Sequence, residues 1–274
     1  MAARLGDVQG TLRLVDDLAL VEAAAATDLA AFEAIARHTT WPGGGSVRRF
    51  GSVVAVVTGH PDTGFWNPVL ATAPRSQIVD TLAAASWVRG HGVPCSVHVD
   101  VDRAEVGIDR AITALRLAPD PWAMPVMALA RIPKSPAPPD GLRIDDVTTE
   151  ADLDAWLRTL VGSDEGVERA RHTFGASLLA DPAVRLLAGR VEGQVVATSL
   201  AVRHEGMVGV YVVGTVEAFR RRGIGTAMTW AAIGVGRRWG CRAAVLQASG
   251  MGLSLYRAMG FRTIAHYLDY DAPR

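Results

Sequence analysis

The chain has 274 residues, of which 49% are hydrophobic and 20% are charged, a composition typical of a globular protein with one large domain or two small ones. Lys and Arg together number 28, as do Asp and Glu, so the net charge is zero and sequence-independent binding of nucleic acid is not expected. Three acidic residues interrupt the most apolar segment, residues 18–35, which argues against a membrane-spanning helix. The first 17 residues contain no apolar core of signal-peptide length, and we expect a cytoplasmic protein.

The first part of the chain gives weak structural signals. Its apolar patterns predict helices at residues 17–36 and 77–89, and strands at residues 52–58, 93–101 and 125–132. A Pro-rich stretch follows, in which four prolines oppose both a helix and a strand ladder. We therefore divide the chain into a first unit, a linker and a second unit, which comprise residues 1–131, 132–141 and 142–274.

The second unit has clearer signals. Thr149, with Asp152 three residues later, is a typical helix N-cap. The predicted elements, in chain order, are a strand at 142–148, the helix after Thr149, a helix at 167–179, strands at 184–190, 194–203 and 207–213, a helix from 223 that ends at Gly240, a strand at 243–248, a short helix at 253–259 and a strand at 261–270. These alternating elements predict an α/β protein with a mixed sheet.

The two units share a weak internal repeat. Residues 87–100 align with residues 235–248 without a gap, and Gly92 then stands over Gly240. Each segment has the pattern of a helix end, a glycine and a buried strand. We favour a duplicated fold, although the low identity leaves chance as the alternative. Cys95 and Cys241 lie in apolar strand-like contexts; we expect both to be buried and reduced, and we expect no metal site.

The strongest motif is Arg-Arg-Arg-Gly-Ile-Gly-Thr at residues 220–226, between a predicted strand and a predicted helix. The first turn of a helix has unpaired N–H groups and a positive dipole end, which suit a phosphate. Gly223 and Gly225 allow close approach, and the arginines add positive charge. The spacing is neither that of a Walker motif nor that of a dinucleotide fingerprint. The alternative is a solvated basic turn.

A second motif, Leu-Tyr-Arg-Ala-Met-Gly-Phe, covers residues 255–261. It places Tyr256 on a short helix behind a strand end, where a phenol can give a proton to a departing thiolate. The alternative is that Tyr256 only packs against its neighbours.

The two motifs together resemble the GNAT superfamily of N-acetyltransferases. Its Arg/Gln-x-x-Gly-x-Gly/Ala pattern is matched by Arg220, Gly223 and Gly225, and its Leu-Tyr-x-x-x-Gly-Phe helix end by residues 255–261. The resemblance covers residues 142–270. It implies a tandem GNAT-like acyl-CoA N-acyltransferase fold, in which the first unit is a degenerate half. Residues 71–77, at the position equivalent to the phosphate loop, have no Gly-x-Gly and contain Pro74.

The resemblance implies an acetyl-CoA site in the second unit. The pantetheine arm would lie along the strand edge at Val212 and Val213, and a backbone N–H at Val213 would hold the oxyanion. Tyr256 is similar to the general acid of the family. Ser249 stands where many members have Asn, and its hydroxyl would make the contact with pantetheine in place of the amide. The pyrophosphate would bind the segment formed by Arg220, Arg221, Arg222, Gly223, Ile224, Gly225 and Thr226.

The function implied is acetyl transfer from acetyl-CoA, by direct attack, to the primary amine of a small molecule or of a peptide amino terminus. No motif identifies the base: His204, Glu205 and Glu217 are candidates by position, although each has the pattern of an ordinary surface residue. The first unit would shape the acceptor pocket or a homodimer. The alternative function is a non-catalytic acyl-CoA-binding or regulatory module, which would bind acetyl-CoA without acetylating any amine.

Overall fold

The computed structural model describes residues 5–74 and 76–273, with side chains in the first helix from residue 18 onward. Both units contain helices and strands. The helices of the described residues are α1 Leu5–His38, α2 Ile78–Arg89, α3 Ile108–Thr113, α4 Glu150–Val161, α5 Asp164–Thr173, α6 Ile224–Arg238 and α7 Leu253–Ala258.

The strands form one mixed sheet with the order β1-β2-β3-β4-β12-β6-β11-β10-β9-β8-β7, and β5 pairs with β12 beside this path. The strands are β1 Ser46–Phe50, β2 Val53–Val57, β3 Pro68–Ala71, β4 Ser96–Asp100, β5 Ala118–Pro119, β6 Met124–Leu129, β7 Leu142–Asp146, β8 Val184–Val191, β9 Gln194–His204, β10 Met207–Thr215, β11 Ala243–Gln247 and β12 Arg262–Asp271.

The two units exchange strands in the middle of this sheet. Strand β6 precedes the Pro-rich segment, yet it lies between β11 and β12, which follow it. Strand β12 in turn lies between β6 and β4 of the first unit. Residues 132–139 form neither helix nor strand. The boundaries at 131 and 142 stay a prediction, because backbone pairing is continuous across both units.

The internal repeat is confirmed at the level of structure. Strands β3 and β4 are parallel and joined through α2, and β10 and β11 are parallel and joined through α6. Gly92 and Gly240 both follow the central helix with positive φ, 73° and 81°. A side chain is disfavoured in this left-handed conformation, which explains why glycine stands at both positions.

Helices cover both faces of the sheet. Helix α6 packs on the face that carries Met127, and α1 packs on the opposite face against Val126 and Ala128 of the same strand. Helix α1 also contributes to clusters with α4 and with β2, so it crosses the region where the two units meet. Its small buried residues, such as Ala24 and Ala31, allow this long helix to lie close to the strands.

Some predicted elements have different bounds. The helix expected at 167–179 is two elements: α5 begins after the N-cap Ser163, whose hydroxyl accepts a hydrogen bond from Gly166 N, and a short 3-10 helix, Ala176–Ala180, follows Gly175.

Cys95 and Cys241 are both buried, as expected. Among the described residues, no helix is sufficiently long and apolar to span a membrane.

Candidate functional site

The segment at residues 221–226 forms a turn with exposed backbone donors. Arg221 and Gly223 have positive φ, 65° and 76°, and α6 begins directly afterwards at Ile224. None of the six backbone N–H groups donates a hydrogen bond to another described residue. A helix of 15 residues therefore presents its unpaired first turn and its positive dipole end to the surface.

The three arginines around this turn keep it positively charged. Arg220 Nε donates to Thr215 O at 3.1 Å, and Arg222 Nη2 donates to Ala218 O at 3.2 Å. Both side chains, with that of Arg221, are exposed, and none forms an ion pair with a carboxylate in the described part of the chain. This turn, residues 220–226, is called the cradle below.

Strand β10 separates from β11 next to the cradle. The two strands pair only from Met207 to Gly209 of β10, although β11 continues to Gln247. Beyond that point β10 bulges: Val212 and Val213 have no partner residue on β9, and Val212 has a φ of 53°. A β-branched residue in this conformation costs roughly 1–3 kcal/mol. Thr198 Oγ1 donates to Val212 O at 2.9 Å and holds the bulge.

A cavity of about 270 Å³ opens at this separation and extends between the two units. Four predicted site residues line it together: Val212, Val213, Ser249 and Tyr256. The Ser249 hydroxyl, which accepts a hydrogen bond from Gly252 N at 3.3 Å, is exposed at its rim. The structure thus brings the strand bulge, the loop after β11 and the tyrosine helix to one place.

Tyr256 is 8% exposed, and its ring packs edge-on against Phe261 with the centroids 6.0 Å apart. Burial raises the pKa of the phenol, and a hydrogen bond with the Thr229 side chain offsets part of that rise. Thr229 Oγ1 in turn donates to Gly225 O at 2.9 Å. The phenol therefore stays protonated at neutral pH and is linked through Thr229 to the first turn of α6.

The remaining lining of the cavity comes largely from residues that the sequence did not single out. Asp28 of α1 is 4% exposed, and its Oδ2 has no hydrogen-bond partner. Burial raises its pKa to about 6; the nearby His98 lowers it and Asp269 raises it further. The other residues that line the cavity are Ala31, Phe32, Ile35, Phe65, Trp66, His98, Met124, Leu200, Val210, Tyr211 and Gln247.

The base candidates taken from the sequence do not line this cavity. His204 and Glu205 lie at the β9–β10 turn, where His204 pairs with Met207. Met207 is five residues from Val212 along β10, or about 16 Å at 3.3 Å per residue. Glu217 is exposed in the 3-10 turn before the cradle.

In the first unit, the helix end that corresponds to the cradle is closed by the protein itself. Ile78 N, at the start of α2, donates to the Glu105 carboxylate at 2.7 Å. An acidic side chain thus occupies the place that an anionic ligand would take. Pro74 also lacks a donor, and Arg75 lies outside the described residues.

Comparisons with known proteins agree with this geometry. A family model described as an acetyltransferase (GNAT) domain matches residues 139–246. Among solved structures, the chain is similar to a GCN5-related N-acetyltransferase from Kribbella flavida, at 18% identity and a TM-score of 0.66, over 92% of this chain and 96% of that chain. It is also similar to a tandem GNAT protein from the clavulanic acid biosynthesis pathway, at 13% identity and a TM-score of 0.58, over 100% of this chain and 98% of that chain. No curated protein matches the sequence.

These matches show the fold of the protein. The domain that residues 139–246 match is a GNAT acetyltransferase domain. The whole chain has the fold of a tandem GNAT protein, a mixed α/β fold built around one large sheet. The resemblance predicted from the motifs at 220–226 and 255–261 is confirmed, and so is the predicted fold class.

Proposed function

We propose that the protein is a cytoplasmic N-acetyltransferase that uses acetyl-CoA to acetylate the primary amine of a small molecule. The observation that carries this proposal is the unpaired, positively charged first turn of α6 beside separated strands. Acetyl-CoA bound there would supply a reactive acetyl thioester.

The cradle fits a diphosphate. The N–H groups of residues 221–226 would donate to its oxygens, and the exposed arginines would balance its charge. A Cβ atom at Gly225 would be in ordinary van der Waals contact with Leu255 and Thr215 at 3.8 Å, so the absence of a side chain there leaves that space to a ligand. The opening between β10 and β11 would receive the pantetheine arm along Val212 and Val213, with the Ser249 hydroxyl at its rim.

Two groups would act on the reacting atoms. Residues in a bulge have N–H groups that the strand ladder does not use, and the Val213 N–H would stabilise the negative charge that forms on the carbonyl oxygen. Tyr256, protonated at neutral pH, would give its proton to the departing sulfur.

Calorimetric titration and thiol release test this proposal. We expect acetyl-CoA to bind with a stoichiometry of one per chain, because Glu105 occupies the corresponding helix end of the first unit. Incubation with a panel of amines should release free thiol. A protein that binds acetyl-CoA and acetylates no amine would be a binding module instead, and a protein that does not bind it would contradict the assignment of the cradle.

Replacing Tyr256 by Phe should lower kcat by at least about 100-fold, because removal of a positioned acid costs that much. The affinity for acetyl-CoA should change little, since the ring and its contact with Phe261 remain. Steady-state kinetics and calorimetry measure the two effects. Tyr270→Phe is the matched control: it removes a hydroxyl from another tyrosine, buried away from the cavity, and should leave kcat unchanged. If Tyr256→Phe had the turnover of the wild type, the role of the Tyr256 side chain would be packing alone.

A further inference from the structure

The cavity beyond the strand bulge contains one carboxylate within an apolar wall. Asp28 is almost fully buried, yet its Oδ2 has no hydrogen-bond partner. Among the described residues, Gln247 is the one whose side chain forms a hydrogen bond that lowers the pKa of the Asp28 carboxyl. A buried, unsatisfied acceptor is costly unless a ligand pairs with it. Apolar and aromatic side chains line the same cavity: Phe32, Ile35, Phe65, Trp66, Leu200 and Val210.

His98 lies beside this carboxyl and is 1% exposed. Ser96 Oγ donates its hydrogen to Gly64 O at 2.9 Å, so at the 3.1 Å contact with His98 it accepts from Nε2. The proton of a neutral His98 ring is therefore on Nε2. Its Nδ1, 3.4 Å from Asp269 Oδ1, makes no hydrogen bond with a described residue. Asp28, His98 and Asp269 thus form a cluster in which each residue has one polar side-chain atom without a hydrogen-bond partner among the described residues.

The charges around the cavity have one sign. No Lys or Arg lines it among the described residues. A second pocket of about 850 Å³ adjoins it through Phe65 and His98, and in the described part of the chain no Lys or Arg lines that pocket either. We call it the acidic vestibule; its carboxylates are those of Asp62, Asp120, Asp269 and Asp271, of which Asp62 pairs with Arg169.

We propose that the acceptor is a small primary amine with an aromatic or branched apolar body and no carboxylate, and that Asp28 binds its ammonium group and takes its proton. This inference rests on the proposed acetyl transfer. The apolar wall would hold the carbon skeleton, and the acidic vestibule would attract a cation. An acceptor with a free carboxylate would find no Lys or Arg to pair with it among the described residues that line the two pockets, and burying an unpaired charge is strongly unfavourable.

Asp28 and Tyr256 would each transfer protons during the reaction. The ammonium gives one proton to the Asp28 carboxylate, and the freed lone pair forms the bond to the acetyl carbon. The carbon–sulfur bond breaks with its electron pair on sulfur, which takes the Tyr256 proton. A second nitrogen proton then restores the phenol, and Asp28 releases its proton to solvent. One proton is released for each acetyl group transferred.

The acidity of Asp28 suits this role. Burial raises the pKa of this carboxyl to about 6; His98 of β4 lowers it and Asp269 of β12 raises it. Two further titratable groups face it, Tyr211 of β10 and Tyr267 of β12, and the Asp28 charge helps to raise the pKa of both phenols. Above about pH 6 the carboxyl is ionised and can receive a proton, and its raised pKa makes it a stronger base than a carboxyl of ordinary acidity.

The first experiment compares three acceptors of one skeleton: phenethylamine, phenylalanine and phenylalaninamide. Tryptamine and isoamylamine extend the apolar series. We expect kcat/KM for phenethylamine to exceed that for phenylalanine by at least about 100-fold, which corresponds to the cost of leaving one charge unpaired. Phenylalaninamide, which has a substituent at the same carbon without the charge, should lie between them. Equal or better acetylation of phenylalanine would overturn the inference and leave the acetyltransferase proposal intact.

The second experiment uses Asp28→Asn, which keeps the size of the side chain and removes its charge. Wild-type kcat/KM for phenethylamine should fall about tenfold per pH unit below about pH 6, and the variant should lose this acidic limb together with at least about 100-fold in activity at pH 7.5. Its affinity for acetyl-CoA should remain, which shows that it is folded. Glu22→Gln, an exposed acid on the same helix, is the control and should behave as wild type. An unchanged pH profile in Asp28→Asn would overturn the role of Asp28. If the wild type itself did not bind acetyl-CoA, that result would instead contradict the proposed function.

Discussion

Replacing Gly225 by Asp should weaken acetyl-CoA binding by at least about 100-fold, or about 2.7 kcal/mol. Gly225 is the second residue of α6, where the backbone N–H groups have no acceptor within the described residues. A carboxylate at this position would accept hydrogen bonds from those N–H groups and repel a diphosphate. The structure already contains this arrangement in the first unit, where Glu105 accepts from Ile78 N.

The variant should remain folded. A new Cβ would meet Leu255 and Thr215 no closer than 3.8 Å, which is ordinary van der Waals contact. An acidic residue in the first turn of a helix is itself stabilising, by roughly 0.3–1 kcal/mol. The melting temperature of Gly225→Asp should therefore equal or exceed that of the wild type while calorimetry shows loss of binding.

Gly225→Asn separates charge from volume. It has nearly the same size as the Asp variant, so a purely steric effect would weaken binding equally in both. We expect the Asn variant to lose at least tenfold less affinity than the Asp variant, because repulsion of the phosphates is absent. Unchanged affinity in Gly225→Asp would show that the diphosphate does not bind at this helix end.

Much of the second unit could be predicted from its sequence because the signals are local. The glycines at 223 and 240 mark the start and the end of one helix, and both have positive φ. The cradle depends on residues adjacent in the chain, so a motif of seven residues is sufficient to predict its place. The first unit was less predictable because its strands are short; β1, Ser-Val-Arg-Arg-Phe, lacks an alternating apolar pattern.

The acceptor side of the cavity could not be predicted in this way. Asp28 and His98 are 70 positions apart, and they meet only because α1 crosses the sheet on the face opposite α6. The strand order that brings β4, β12 and β11 together requires the exchange of β6 and β12 between the units. Sequence periodicity assigns a residue to a face of its own element, and it does not specify which elements become neighbours. No local signal distinguished Asp28, because it is one of three acidic residues, with Glu22 and Glu33, in the apolar segment 18–35 of α1.

Asp28→Asn should also change the stability of the protein, in a direction opposite to its effect on activity. The pKa of Asp28 is raised to about 6 in the folded protein from an ordinary value of 3.8. Between these two values the folded state holds a proton that the unfolded state has lost, so the free energy of unfolding decreases as the pH rises. The decrease is about 1.4 kcal/mol per pH unit, or about 3 kcal/mol in total, and it is complete above about pH 6.

Urea unfolding of the wild type and of Asp28→Asn at pH 4 and at pH 7.5 measures this effect. The difference between the two proteins should shift by about 2.4 kcal/mol in favour of the variant at the higher pH, because at pH 4 the carboxyl of the unfolded chain is already more than half ionised. Glu22→Gln, which removes an exposed acid from the same helix, should give a difference from wild type that is nearly constant with pH. A pH-independent difference for Asp28→Asn would mean that Asp28 titrates as an ordinary carboxyl. We expect two results together: the Asp28 carboxylate destabilises the folded protein, and its removal causes a loss of activity. This combination is typical of a buried charge that is paired only when a cationic acceptor binds.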